Sequence, residues 1–390
     1  MKLTYNHTKL SCYVGYFVQA IINNFLPLLF VLLNTSYGIT YEQLGRLILL
    51  NFCTQIVVDL LSIKIIKAIS YRGAALFAHA TAAAGLLMLA FLPKLLSNTY
   101  LAICISIIVY AFGSGLIEVI ISPIVEYLPT KENKAAGMAL LHSFYCWGQL
   151  ITVAVSTLLF FAFKPENRFY VAAIWAIIPL LNFFPFLKVP ICEPEEEKQE
   201  GSAKILKERK FAFFIIIMLC AGASEIAVAQ WSSAFAEQAL HLSKYASDLL
   251  GPAAFALFMG TGRLLYGIFG NRLNIKKCIT LCSLLSLICY LTIAFSKTAL
   301  ICLIASAICG FSVSILWPGI LSTCAASYKN AGSTMFGLLA AAGDMGCSLG
   351  PWVTGFAADY LGLNLGFAVS AVFPLILFIV SLTFTLKKEK

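Results

Sequence analysis

The chain reads as an all-α membrane protein whose twelve transmembrane helices form two six-helix bundles related by pseudo-symmetry. Three observations predict this. Hydrophobic residues make up 60% of the 390 positions and charged residues 12%, with a mean hydropathy of +0.89. A soluble domain is nearer half apolar and a quarter charged. The apolar positions fall into runs of about 20 residues, the length a helix needs to cross the hydrocarbon core with its backbone hydrogen bonds closed internally. Finally, residues 110–150 are echoed without a gap at 305–345: Gly115 recurs as Gly310, Pro123 as Pro318, Lys134 as Lys329, Ala136 as Ala331, Gly137 as Gly332 and Gly148 as Gly343. The offset is half the chain length. Duplicated membrane halves with a site between them are the arrangement of secondary transporters.

In chain order the spans fall at 10–33, 43–63, 74–93, 99–124, 137–163, 169–188, 211–237, 247–270, 277–296, 299–324, 332–358 and 363–386. Span 1 is too long for a signal peptide and has no small-residue cleavage site, so it is expected to remain as a crossing. Residues 1–188 form the first bundle, 189–210 a linker and 211–390 the second bundle. Twenty Lys and Arg fall in connections on one side, six on the other, and Arg263 lies inside a span. The basic side faces the cytoplasm, which places both termini and the acidic linker from Glu193 there. A multi-pass protein of the cell membrane follows, most simply a monomer in the lipid bilayer.

The net charge of +9 invites a nucleic-acid partner, but the basic residues are scattered among short loops and set topology instead. The thirteen cysteines lie mostly within apolar runs without C-x-x-C spacing, and read as packing residues rather than disulfides or a metal site. No nucleophile motif, metal cluster or phosphate loop is present, and the G-x-G at 113–115 is mid-helix. Neither an enzyme nor a cofactor is expected.

Ionisable residues within spans carry the functional signal, because each costs roughly 2.5–3.5 kcal/mol at a helix centre unless it meets a partner or a cavity. They are Asp59, Glu118, Glu225, Arg263 and Asp344, with His142 near the basic end of span 5. Their surroundings are periodic. Asn51, Gln55 and Asp59 recur every four residues in span 2. Tyr110, Ser114, Glu118 and Ser122 do so in span 4, and His142, Tyr145, Gln149 and Thr152 form a stripe in span 5. Span 1 adds Gln19, Asn23 and Asn24; span 7 adds Gln230 and Trp231 above Glu225. Polar stripes on several helices point to a wet cavity, interhelical hydrogen bonding being the other reading. The repeat sharpens this: Glu118 stands opposite Val313, and Gln149 opposite Asp344. The halves share their glycines and prolines but not their charges. Arg263 needs a counter-charge, and Asp344 is the expected one; Arg263 and Asp59 are the candidates for gating or charge pairing. Gly113, Gly115, Gly137, Gly148, Gly310, Gly332, Gly337, Gly343 and Gly346 are expected at close helix contacts.

These residues resemble the major facilitator superfamily, and within it the fucose–proton symporter branch. Gly115, Glu118, Ser122 and Pro123 are similar to the branch's G-x-x-E-x-x-x-N-P, with Ser for Asn. Gly222-Ala223-Ser224-Glu225 followed by Trp231 resembles its G-x-E and Trp, and Trp317-Pro318 its aromatic-Pro pair. Gly262-Arg263 and Arg272 resemble the degenerate second copy of the superfamily's loop signature; Asp59, Lys64, Arg72 and Gly73 keep an irregular first copy. The resemblance implies the major facilitator fold and a monosaccharide carrier driven by protons, with Glu118 the carboxylate tied to substrate and proton. One departure stands out. The branch places an Asp three residues after an Asn-Asn pair in helix 1, where this chain has Pro27. Coupling would then fall to Glu118, Glu225 or Asp344, or the protein is an uncoupled facilitator or uses another ion.

The sequence therefore predicts proton-coupled import of a small neutral sugar or polyol by alternating access. Gln19, Asn23, Asn24, Asn51, Gln55, His142, Tyr145, Gln149, Gln230, Trp231 and Trp317 are the substrate candidates: polar groups for hydroxyls, Trp for the apolar sugar face. A multidrug–proton antiporter is the alternative. An anion exchanger would need paired cationic residues to clamp phosphate, where this chain has only Arg263 within a span, and a non-transporting receptor gives no reason for membrane carboxylates. The topology is testable by labelling Ser202→Cys with an impermeant thiol reagent on intact cells. Labelling should fail; efficient labelling from outside would reverse the orientation.

Overall fold

The computed structural model describes residues 3–129, 134–192, 208–269, 273–328 and 332–386. Among them there is no β-strand. The helices are α1 (Tyr5–Phe25), α2 (Phe30–Tyr37), α3 (Tyr41–Leu95), α4 (Thr99–Glu126), α5 (Lys134–Ala162), α6 (Val171–Phe186), α7 (Arg209–Gln238), α8 (Lys244–Asp248), α9 (Ala254–Phe269), α10 (Ile275–Phe295), α11 (Ala299–Val313), α12 (Leu316–Ser327), α13 (Gly332–Leu361), α14 (Leu363–Ser370) and α15 (Val372–Leu386). They make the twelve crossings. Span 1 is α1 and α2 joined by a 3₁₀ turn at Pro27. Spans 2 and 3 are one element, α3, broken at Ser70, whose φ of 60° and ψ of 169° leave the helical region. Span 8 is α8 and α9 with the π-helical turn Leu249–Ala253, containing Pro252, between them. Eleven crossings among the described residues are apolar and long enough to span a bilayer. The twelfth, α13, is 30 residues long but carries six glycines and Asp344, which dilute its hydropathy.

Local chemistry sets the ends. Asn98 and Asn274 accept from the backbone N–H three residues on, at 3.0 and 3.1 Å, as helix N-caps do. Gly38, at φ 65°, closes α2 through its N–H to Leu33 O. Arg72, from the loop-like signature, donates to Phe186 O at 2.7 Å and Val189 O at 2.8 Å. It satisfies carbonyls that the end of α6 would leave orphaned. The linker expected at 189–210 lies mostly outside the described residues, as do Lys131, Arg272, Lys329 and Ala331.

The chain divides into two compact units, one of residues 1–39 and 50–196, the other of 40–49 and 197–390. In the first, α1 packs on α4, α5 and α6. Gly113 lies against the α3 backbone at Ala78 and Ala82, and Gly148 against Phe17 and Ala20 of α1. In the second, α7 is buried continuously from Cys220 to Ala236. It lies along α13, where Gly222 abuts Gly343 and Gly350 abuts Ala223. Small residues let these backbones approach, as interhelical contacts in lipid require. The start of α3 belongs to this second unit. Asp359 accepts from the N–H groups of Tyr41 at 2.7 Å and Glu42 at 2.8 Å, and Trp352 Nε1 donates to Glu42 at 3.2 Å. A carboxylate at a helix N-terminus satisfies donors that have no intrahelical partner.

Gly337 departs from the sequence expectation: nothing lies near the position a Cβ would take. It is an exposed helical residue, not a contact glycine. The pair Gly113 and Gly337 therefore tests the packing. Gly113→Ala should lower thermal stability by about 1–3 kcal/mol through overpacking against α3. Gly337→Ala should be neutral or stabilising by up to about 1 kcal/mol, from helix propensity. Equal melting temperatures of the two variants in detergent would contradict the α3–α4 contact.

Candidate functional site

The first unit gathers most of its predicted residues into one hydrogen-bonded face. Asn23 Oδ1 on α1 accepts from Asn51 Nδ2 at 3.0 Å and Gln55 Nε2 at 3.1 Å, both on α3. Gln55 Oε1 in turn accepts from Ser114 Oγ of α4 at 3.2 Å. One turn back along α1 from Asn23, Gln19 Nε2 donates to Glu118 Oε2 at 2.5 Å. Three helices thus meet through side chains placed one turn apart in each stripe. Glu118 is half-buried. Asp59 continues the α3 stripe one turn beyond Gln55, where Ser62 donates to its backbone carbonyl at 2.6 Å.

Helix α5 closes the other flank of α1. Asn24 Nδ2 donates to Ala20 O at 2.9 Å and approaches Tyr145 Oη at 3.4 Å. Tyr16 Oη and Ser122 Oγ are 2.9 Å apart, and the exposed His142 ring meets Tyr16 edge-on at 5.1 Å. Gln149 is 1% exposed. Its Nε2, together with Gln19 Oε1, Asn51 Oδ1 and Thr152 Oγ1, is buried without a hydrogen-bond partner. An orphaned buried polar atom costs about 1–3 kcal/mol, so these four call for an explanation.

The second unit differs in kind. Arg263 Nη2 on α9 lies 3.4 Å from Glu225 Oε1 on α7, with both side chains largely buried. The structure thus gives the guanidinium a counter-charge that the sequence expectation, centred on Asp344, had not considered. Asp344 is buried on α13 beside Gly343, against which the indole of Trp317 packs. Gln230 is buried on α7. Trp231 requires a correction. It is fully buried, donates through Nε1 to Pro351 O at 2.9 Å, and meets the Tyr41 ring edge-on. Its place is in the core of the unit, not on a surface open to substrate. Trp317, which keeps partial exposure, remains the aromatic candidate there.

Sequence reasoning missed two clusters. Lys244 Nζ lies 2.7 Å from Asp248 Oδ1, 3.1 Å from Ser233 Oγ and 3.8 Å from Glu237 Oε2. Asp248 has no exposure at all. It lies at the edge of the expected span 8, and its i,i+4 spacing from Lys244 was the available signal. In the first unit His79, also fully buried, bonds Ala75 O through Nδ1 and Asn182 Nδ2 through Nε2, both at 2.8 Å. The carbonyl can only accept, so Nδ1 carries the proton and Nε2 accepts from the amide. Among the described residues no group of His, Cys, Asp and Glu is placed to hold a metal ion.

This architecture has solved counterparts. The fold is similar to that of the Escherichia coli xylose transporter XylE in a partially occluded inward-open conformation, at 13% identity, covering 98% of this chain and 99% of that one, with a TM-score of 0.80. A variant of the nucleoside transporter NupG matches at 15% identity, over 97% and 99% of the two chains, with a TM-score of 0.77. The Escherichia coli fucose:proton symporter FucP matches at 17% identity, over 96% and 98%, with a TM-score of 0.67. No curated protein sequence matches. Identities this low speak for the fold alone. The sequence itself matches the Major Facilitator Superfamily over residues 12–336 and again over 250–390. With twelve crossings, a duplicated half and that match, the chain belongs to the Major Facilitator Superfamily of membrane transporters.

Proposed function

We propose that this protein is a proton-coupled carrier of a small neutral sugar or polyol, importing it across the cell membrane by alternating access of two bundles. The observation that carries the reading is the amide face of the first unit. Gln19 Oε1 and Asn51 Oδ1 can only accept, Gln149 Nε2 can only donate and Thr152 Oγ1 can do either. A ligand bearing several hydroxyls supplies both donors and acceptors at short spacing and so answers this set. An apolar drug does not. An anion is disfavoured as well, since Glu118 is the nearest charge on this face and Arg263 is engaged by Glu225.

Glu118 is the coupling residue in this reading. Its carboxylate shares a hydrogen bond with Gln19, which also belongs to the substrate face. Protonation of the carboxyl and occupation of the amides thereby act on one contact, so each biases the conformational equilibrium the other senses. Glu225, held by Arg263, and Asp344 are the secondary candidates.

Two measurements test the proposal. A thermal-shift screen of purified protein should give stabilisation only from neutral polyhydroxylated compounds, rising with ligand concentration over its dissociation constant. Hits confined to amino acids, organic phosphates or lipophilic cations would overturn the substrate class. Glu118→Gln, which mimics the protonated carboxyl, should retain counterflow of the ligand found in that screen while losing proton-driven accumulation. Accumulation at the parent level with proton uptake intact would remove Glu118 from coupling.

A further inference from the structure

We infer that Tyr16, Ser122 and His142 form the path along which protons pass between Glu118 and the end of the first unit that holds the N-terminus. The inference rests on the coupling role proposed for Glu118. It begins from what Gln19 cannot do. Its amide nitrogen donates to the carboxylate at 2.5 Å, but an amide nitrogen accepts no proton, so that contact is a dead end for proton transfer. Another group must take the proton.

The stripes supply one. Ser122 is four residues past Glu118 on α4, hence on the same face, and Tyr16 is three residues before Gln19 on α1. Their hydroxyls are 2.9 Å apart and either can donate. Beyond it the ring of Tyr16, itself 4% exposed, meets His142 edge-on at 5.1 Å and 74°, and His142 is exposed. Burial therefore falls away along the series from Tyr16 to the imidazole.

Direction is consistent across three helices. α1 begins, α4 ends and α5 begins at the same end of the unit, and on each helix Tyr16, Ser122 and His142 lie nearer that end than Gln19, Glu118 and Tyr145 do. The ionisable groups toward this end include Tyr5, His7, Lys9, Tyr13 and Tyr16 on α1, Asp59, Lys64, Lys67 and Arg72 on α3, Glu118 on α4, and His142 and Tyr145 on α5; Lys9 lies over the Tyr13 ring, which stacks on Phe144. Helix α6 contributes none along Val171–Phe186.

The transfer balances simply. The carboxyl proton of Glu118 passes through one water to Ser122 Oγ while the Ser122 hydroxyl proton moves to Tyr16 Oη. The phenol proton of Tyr16 moves through water to a ring nitrogen of the exposed His142, and the imidazolium releases it to solvent. Each oxygen gives one proton and takes one, the carboxyl becomes a carboxylate, and no other bond breaks. Chains of this kind are a known use of polar residues within membrane spans.

The test needs no substrate, only protons. Full-length protein in liposomes is subjected to a pH jump, and the infrared stretch of protonated carboxyl is followed in time. Glu118→Gln identifies the band belonging to Glu118. Tyr16→Phe, Ser122→Ala and His142→Gln should each slow its change by about a hundredfold or more, the scale on which positioned proton-transfer groups act. Ser122→Thr, which keeps the hydroxyl, should restore the rate, and Tyr37→Phe on α2 should leave it unchanged. A parent rate in Tyr16→Phe overturns the path, as does a slow Ser122→Thr, which would mark Ser122 as a packing residue. If Glu118→Gln removes no band, Glu118 does not titrate and the coupling proposal falls with the path. If the band is removed but the three variants keep the parent rate, the path alone falls.

Discussion

In the hydrocarbon core of a bilayer there is no water to hydrogen-bond a peptide group, and every other feature of this protein is arranged around that fact. Each crossing has to be a helix, which leaves side chains as the means of joining one crossing to the next. Apolar side chains gain little by leaving lipid for protein, so the joints are made by close backbone approach and polar contact. Gly113 against Ala78 and Ala82, and Gly222 against Gly343, show the first. The Asn23–Asn51–Gln55–Ser114 chain shows the second. The polar residues that a transporter would offer its cargo are drawn from the same set that holds its helices together.

The two halves solve the problem differently. The first is joined largely through neutral amides with the carboxylate of Glu118, the second through an ion pair between Glu225 and Arg263 and a buried Lys244–Asp248 contact. Neutral amides tolerate exchange of one partner for another, because an N–H or C=O lost to a ligand can be replaced in kind. A buried ion pair tolerates it poorly, since removing one partner strands a charge. The first half is thus joined by contacts that can be exchanged in kind, the second by an ion pair that cannot. That division matches the broken symmetry of the repeat, in which Glu118 stands opposite Val313.

Much of this was legible in the residues. The spans, the duplication and the polar stripes are properties of composition and of a 3.6-residue period, and Glu118 emerged because a lone carboxylate on a periodic polar face is expensive to keep. Other roles were not legible. Trp231 follows Gln230 and looks like a sugar platform, yet it lies in the core because Gly355 leaves room for its ring and Pro351 presents a carbonyl to its N–H. Both neighbours come from a helix more than a hundred residues later. Gly337 sits in a glycine-rich run and touches nothing. His79 is masked by the apolar run around it, and its partner Asn182 is three spans away.

Hydropathy, period and repetition are read along one chain at a time, and they suffice for the class of protein, the number of crossings, the twofold repeat and the candidate carboxylate. Tertiary structure decided the partners: Gln19 for Glu118, Glu225 for Arg263, Asp359 for the start of α3. Partnership depends on how each helix is rotated about its axis, and a single extra residue in a π-helical turn or a break at Ser70 changes that rotation for everything downstream. Periodicity locates a polar face on its own helix. Which neighbour that face meets is settled only when the helices pack.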